Sequence, residues 1–170
     1  MIGPGVIGMP DSSLEIRPAT EQDVPTILKL IRELAEYEKL LDQVEATEAL
    51  IREHLFGGRP VAEAMVAFLT GEAVGFALYF HNFSTFVGRP GIYLEDLFVR
   101  PHARGRGVGR ALLREVAKVA RQRCCGRLEW SVLDWNESAI RFYKKLGAVP
   151  MSEWTTFRVT ADIIERLTSQ

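Results

Sequence analysis

Residues 94–110 read Leu94-Glu95-Asp96-Leu97-Phe98-Val99-Arg100-Pro101-His102-Ala103-Arg104-Gly105-Arg106-Gly107-Val108-Gly109-Arg110, and this stretch decides the fold. Its first part continues the β-rich run from Ile92 and must stop at Pro101, which has no N–H for a ladder. Its end opens a helix, because Val108, Ala111, Leu112, Val116, Val119 and Ala120 fall on one apolar stripe. Between strand and helix lie three glycines at alternate positions, which let the backbone turn sharply and approach a ligand closely. The unpaired N–H groups of a helix start, with Arg104, Arg106 and Arg110 around them, form a phosphate cradle. An ordinary strand-to-helix turn that uses glycine for its dihedral angles is the other reading of the same residues. The nucleotide motifs fail: no Lys-Ser/Thr follows as a Walker loop requires, and the spacing is Gly-x-Gly-x-Gly rather than Gly-x-Gly-x-x-Gly.

Upstream, Leu14 to Pro18 alternates as a half-buried strand does, and Thr20 with Asp23 approximates a capping box. Val24, Ile27, Leu28, Ile31, Leu34, Ala35 and Glu38 then share a helical face, and Thr47 opens a short helix to Phe56 closed by Gly57-Gly58. Val61–Leu69 and Val74–Phe83 read as a hairpin turning at Gly71-Glu72, and Gly88-Arg89-Pro90-Gly91 reads as a second turn before a strand over Ile92–Val99. Downstream, the pattern predicts a strand over Leu128–Leu133, a helix over Asn136–Leu146 and a strand over Thr155–Val159. A terminal helix over Ala161–Leu167 completes it. The order is that of one α/β domain over residues 14–167, antiparallel in the middle with a βαβ crossover later, behind a flexible extension over residues 1–13.

Composition narrows the function classes. The 170 residues are 47% hydrophobic and 25% charged, as in an ordinary globular domain. With 21 Lys plus Arg against 22 Asp plus Glu, the net charge of −1 gives no general pull toward nucleic acid or an anionic membrane. No aromatic row accompanies the arginines, so a base-stacking platform is not indicated. No apolar run approaches the roughly 20 residues of a membrane span, and the N-terminus lacks a signal peptide's basic region, so the expected setting is cytoplasmic. His54, His81 and His102 have no metal-ligand spacing, and no metal is expected. Cys124 and Cys125 sit 19 positions or more beyond Gly105, mostly along one helix, or roughly 28 Å away at about 1.5 Å per residue. They read as buried or inert thiols rather than acyl carriers.

Arg104-x-x-Gly107-x-Gly109 after Leu94 to Val99 resembles the acetyl-CoA signature of the GNAT superfamily of N-acetyltransferases. Residues 16–20, 31–38, 93–96 and 135–144 extend the resemblance to its spermidine/spermine (diamine) and thialysine branch. It implies a GNAT fold whose mixed, largely antiparallel sheet splays at the acetyl-CoA-binding strand and is flanked by helices. It implies acetyl-CoA as co-substrate, held by the backbone of Leu97, Phe98 and Val99, by Arg104, Gly105, Arg106, Gly107, Val108, Gly109 and Arg110, and by Asn136 and Ser138. Tyr143 matches the general acid that protonates the departing thiolate, since a phenol with a pKa of about 10 keeps its proton at neutral pH. Glu95 matches the acceptor of the amine proton. Glu95 and Asp96, adjacent on a strand, are expected on opposite faces, with Glu95 in the pocket and Asp96 bracing backbone or loop groups.

For the acceptor, Tyr37 and Glu38 match an amine-binding pair, and Ser84 and Glu153 match further substrate positions. Glu33, Glu36, Glu38, Glu95 and Glu137 together suggest one negative channel. Ser84-Thr85 replaces the Asp of the polyamine-specific members, so thialysine, a lysine-like amine or a short diamine is expected ahead of spermidine and spermine. The resemblance also implies direct transfer in a ternary complex and a homodimer. A protein Lys or N-terminal acetyltransferase, and a non-catalytic acyl-CoA-binding module, are the alternatives.

Overall fold

Near-continuous apolar runs over residues 64–69 and 73–80 require a sheet covered on both faces, and the structure, a computed structural model that describes residues 14–169, supplies one. Five strands, β1 (Leu14–Pro18), β2 (Glu63–Leu69), β3 (Glu72–Ser84), β4 (Arg89–Val99) and β5 (Leu128–Trp130), lie in sequential order. All neighbours are antiparallel except β4 and β5, which run parallel. Helices α1 (Val24–Glu38) and α2 (Glu48–Phe56) connect β1 to β2, and α3 (Val108–Gln122) makes the β4–β5 crossover. One face carries Ala64, Val66, Phe76 and Phe98 against Val24, Ile27, Leu30, Ile51 and Leu55 of α1 and α2. Met65 and Ala67 alternate to the other face, where the buried Val108, Leu112 and Val116 of α3 pack.

The ends of these elements follow from local chemistry. Thr47 caps α2, its hydroxyl accepting the Leu50 N–H at 3.2 Å. The β2–β3 hairpin turns one position earlier than predicted, at Thr70 (φ 52°) and Gly71 (φ 81°), because two successive positive φ values match the twist of the flanking strands. The predicted turn at residues 88–91 is mostly strand. The carbonyl of Pro90 accepts from Gly126 N, so its missing N–H points away from β3 and costs that ladder nothing.

The predicted capping motif at the start of α1 exists in a stronger form. Asp23, 7% exposed, accepts two hydrogen bonds from Arg17 at 2.7 and 2.8 Å and two more from the N–H and hydroxyl of Thr20. The Arg17 pair, helped by Thr20, holds the Asp23 carboxyl down at about 2. A depressed carboxylate contributes stability that is complete above its unfolded value near 3.8 and is lost as pH falls through about 2. At 1.36 kcal/mol per unit this amounts to about 2 kcal/mol. Asp23→Ala is therefore expected to lower unfolding free energy by about 2 kcal/mol at pH 7, with the deficit vanishing below pH 2 in denaturant titrations.

Residues 132–169 form a second compact unit, containing α4 (Glu137–Lys145) and α5 (Ala161–Thr168). Two expectations are corrected here. Strand β5 stops at Trp130 rather than Leu133, and the segment predicted as a strand at Thr155–Val159 is not one. A short alternating run becomes a strand only by pairing, and Thr155–Val159 leaves every residue exposed, Phe157 at 91%. The predicted extension, residues 1–13, lies outside the described residues.

Candidate active site

The site grows from an irregularity in β4. Leu78 pairs with Asp96 and Tyr79 with Leu94, so Glu95 is an extra residue without a cross-strand partner, a β-bulge. Before it, the backbone groups of Pro90, Ile92 and Leu94 face β5. Arg100 N donates to Val74 O, so the closely bonded pairs with β3 are those of Arg100 and Phe98, and the backbone groups of Leu97 and Val99 face the other way. The bulge thus keeps the same edge facing outward through the end of the strand. Because β5 pairs only with Ile92–Leu94, β4 runs on from residue 95 to 99 with that edge open to a ligand.

The glycine loop stands at the end of this edge. Gly105 (φ 75°) and Gly107 (φ 82°) are left-handed, and a Cβ at either would meet nothing within 4 Å. Conformation, not crowding, demands glycine there. Gly107 is the N-cap of α3, and the first bond of the helix ladder runs from Ala111 N to Gly107 O. The N–H groups of Val108, Gly109 and Arg110 therefore have no partner within the helix and carry its positive dipole end. An open strand edge leading to such a loop fits an extended amide chain that ends in phosphates.

Asp96, just after the bulge, lies within electrostatic range of Glu95 and Glu38. Burial first, then the charges of Glu95 and Glu38, push the Asp96 carboxyl up to about 7. Burial also raises Glu38, in the last turn of α1. The bulge relaxes the strict alternation of side chains on which the expected placement of Glu95 and Asp96 stood; Glu95 is exposed and Asp96 half-buried. No sequence pattern marks the bulge.

Two other members of the expected acidic channel, Glu33 and Glu137, are paired with arginines. Glu33 takes both Nε and a terminal nitrogen of Arg100 at 2.7 and 2.8 Å, and Arg100 also donates to Ala73 O at 2.7 Å. Glu137 pairs with Arg141 at 2.9 Å. One turn along α1 from Glu33, Tyr37 lies under the guanidinium of Arg104, which is 4.4 Å from the ring centre. Neither arginine contact is readable from sequence, the first spanning 67 positions.

Ser84 is not brought to this cluster. It is buried at the far end of β3, its hydroxyl accepting from Val87 N at 3.3 Å, and it pairs with Arg89, six positions along β4 from Glu95 or about 20 Å. His81 links β3 to β4 through Nδ1 and the Gly91 carbonyl at 3.1 Å, while its Nε2 faces Arg123. The cysteines follow the end of α3, Cys124 exposed and Cys125 half-buried, and the 15 residues of that helix put about 22 Å between them and the loop.

In the second unit, Asn136 caps α4, its Oδ1 accepting from Ala139 N at 3.2 Å and from the Ser138 hydroxyl at 3.1 Å. Tyr143 is half-buried on α4, and burial pushes its phenol up to about 12. Glu153 is exposed in a turn.

Comparison with known proteins decides what this arrangement is. The model of the acetyltransferase (GNAT) family matches residues 27–148. The chain belongs to the GNAT acetyltransferase family. A thialysine N-epsilon-acetyltransferase of Bos taurus is 44% identical over 163 residues, covering 89% of this chain and 95% of the relative. An L-ornithine N5-acetyltransferase of Arabidopsis thaliana is 33% identical, covering 89% of this chain and 86% of the relative. The structure of an integron cassette protein from the mobile metagenome of V. cholerae matches with a TM-score of 0.77 at 26% identity, over 93% of this chain and 99% of that one. The protein is thus a GNAT-type N-acetyltransferase. Among the described residues no cluster suits a metal ion, and no helix is long and apolar enough to cross a membrane.

Proposed function

We propose that this acetyltransferase transfers acetyl from acetyl-CoA directly to the side-chain amine of a small cationic molecule, with thialysine, lysine-like amino acids and short diamines ahead of spermidine and spermine. The observation that carries this reading is the open β4 edge beyond the bulge, with Asp96 within electrostatic range of Glu38 and Glu95 beside it. Acetyl-CoA supplies the acetyl thioester when bound. The open edge at Leu97 and Val99 and the N–H groups after Gly107 are the residues that would hold it.

An alkyl amine has a pKa of about 10.4 and arrives as ammonium. Glu38 and Asp96 attract the cation, the approach of positive charge drives the Asp96 proton off, and Tyr37 offers the face of its ring. Glu95 accepts the ammonium proton so that the nitrogen lone pair is free to attack. Tyr143 Oη holds its proton throughout the neutral range and is assigned as the donor to the departing sulfur. Asn136 and Ser138 at the start of α4 are assigned to holding the cofactor and Glu153 to the amine, as the family resemblance implies. The distance of Cys124 and Cys125 from the loop favours direct transfer over an acyl-cysteine. The thialysine and ornithine acceptors in the relatives' names share a primary amine on a short amino-acid side chain, which supports this substrate class. A cytoplasmic homodimer is part of the same proposal.

The test is CoA release from acetyl-CoA with thialysine, lysine, ornithine, short diamines, spermidine, spermine and histone-tail peptides. Turnover with thialysine or lysine at least tenfold above spermine is expected, with Tyr143→Phe losing about 10²-fold in kcat and retaining CoA binding. Preference for the peptides would replace the small-molecule reading by a protein-acetylating one, and CoA binding without transfer to any amine would leave a binding module.

A further inference from the structure

Two arginines follow β4 and reach successive turns of α1, and they are built differently. Arg100 is a fixed post: its side chain is 12% exposed, gripped twice by Glu33 and tied to the Ala73 carbonyl. Arg104 is exposed and makes contacts of another kind. Its guanidinium lies 4.4 Å from the centre of the Tyr37 ring and 5.9 Å from that of Phe98, and its Nε donates to the Val99 carbonyl at 2.9 Å. That carbonyl belongs to the open edge of β4.

We propose that Arg104 is a positioning residue that keeps the amine's place on Tyr37 in the free protein and gives it up when the cofactor takes the β4 edge, so that the two substrates bind as a coupled pair. The proposal rests on the reading of the site under Proposed function. An extended amide chain lying along β4 needs the Val99 carbonyl as its acceptor, and the Arg104 Nε–H already holds one of that oxygen's two lone pairs, so the two donors compete for it. One planar guanidinium makes both contacts, so drawing it away from Val99 also shifts it on Tyr37. Tyr37 cannot follow, because its ring packs against the α1 core and Arg100 fixes the preceding turn through Glu33. What the departing guanidinium uncovers is an aromatic face suited to a cation, on the residue next to Glu38. Ammonium and guanidinium compete for the same quadrupole. By linkage, whatever removes Arg104 favours the amine, and the amine favours the cofactor by the same factor.

Calorimetric titration of CoA and of thialysine tests this without turnover. Tyr37→Leu removes one of the two contacts that CoA must break, so its CoA affinity is expected to rise about two- to fivefold over wild type. In the wild-type protein, saturating CoA is expected to tighten thialysine binding by a comparable factor or more. Unchanged or weaker CoA binding by folded Tyr37→Leu, or a thialysine affinity indifferent to CoA, overturns the role of Arg104 and leaves the acetyltransferase reading standing. Failure of the wild-type protein to bind CoA overturns that reading and the proposal with it. The thialysine arm uses the wild-type chain alone and decides the matter if Tyr37→Leu does not fold.

Discussion

Asp96→Asn is expected to give a more stable protein at alkaline pH and a poorer enzyme. In the folded chain the Asp96 carboxyl is raised to about 7 by burial and by the neighbouring charges of Glu95 and Glu38, against an ordinary value of 3.8. The folded state therefore holds a proton that the unfolded chain releases, and stability falls as pH rises from about 4 to about 7. Above that window the native protein carries the full cost of an ionised, crowded carboxylate, at most about 4 kcal/mol for about three units. Asparagine cannot ionise. At pH 8 the variant should melt several degrees higher than wild type, and at pH 4 the two should coincide.

The same change should damage function in the opposite sense. An ionised Asp96 is worth most when a cation stands beside it, and the amide offers only a dipole. We expect the KM for thialysine to rise about 10- to 100-fold at pH 8, with a smaller effect on kcat. The wild-type profile of kcat/KM against pH should bend near 7, where Asp96 gives up its proton, and the variant should lose that bend while keeping the limb due to the amine itself. A variant that is destabilised at pH 8, or one with unchanged KM, would remove Asp96 from the amine site. Stability gained with function lost is the mark of a residue kept for chemistry rather than for folding.

What could be read from the sequence divides along a physical line. Patterns that report on neighbours along the chain were legible: the stripe of α3, the Thr20–Asp23 cap, the Thr47 cap, the hairpin and the glycine loop all arise from contacts within a few residues. Features set by partners far away were not. The bulge at Glu95 is a property of β4 against β3, and nothing in the local sequence announces it. Glu33 looks like a solvated or substrate-facing acid until Arg100, 67 positions on, is seen to grip it. Thr155–Val159 has the composition of a strand and lies exposed without one, because alternation predicts a face and says nothing of a partner. The residue types for the amine site were thus visible, while the selection among five acids required the fold.

The glycine loop carries the other large effect, and Gly107 and Gly109 should separate cleanly. Gly107 has φ 82° and open space around a Cβ, so a side chain there meets no atom and suffers only from the left-handed backbone. An L-residue pays about 1–2 kcal/mol to stay in that conformation, more when β-branched. Gly107→Val therefore has two courses. Either the loop keeps its shape and the protein loses that stability, or the backbone relaxes to negative φ and the N–H groups of Val108, Gly109 and Arg110 turn away from the phosphates. A β-branched residue favours the second course, and CoA affinity should fall about 10²-fold while the melting temperature changes little. Gly109 is different. It sits within α3 at ordinary helical φ, where a Cβ would meet only the Val99 side chain at 3.6 Å, a normal contact. Gly109→Ala should gain about 0.5–1 kcal/mol of stability from helix propensity alone. Thermal melts and CoA titrations on the two variants separate a loop shaped by backbone conformation from one that only needs room: in the latter case Gly109 and Gly107 would respond alike.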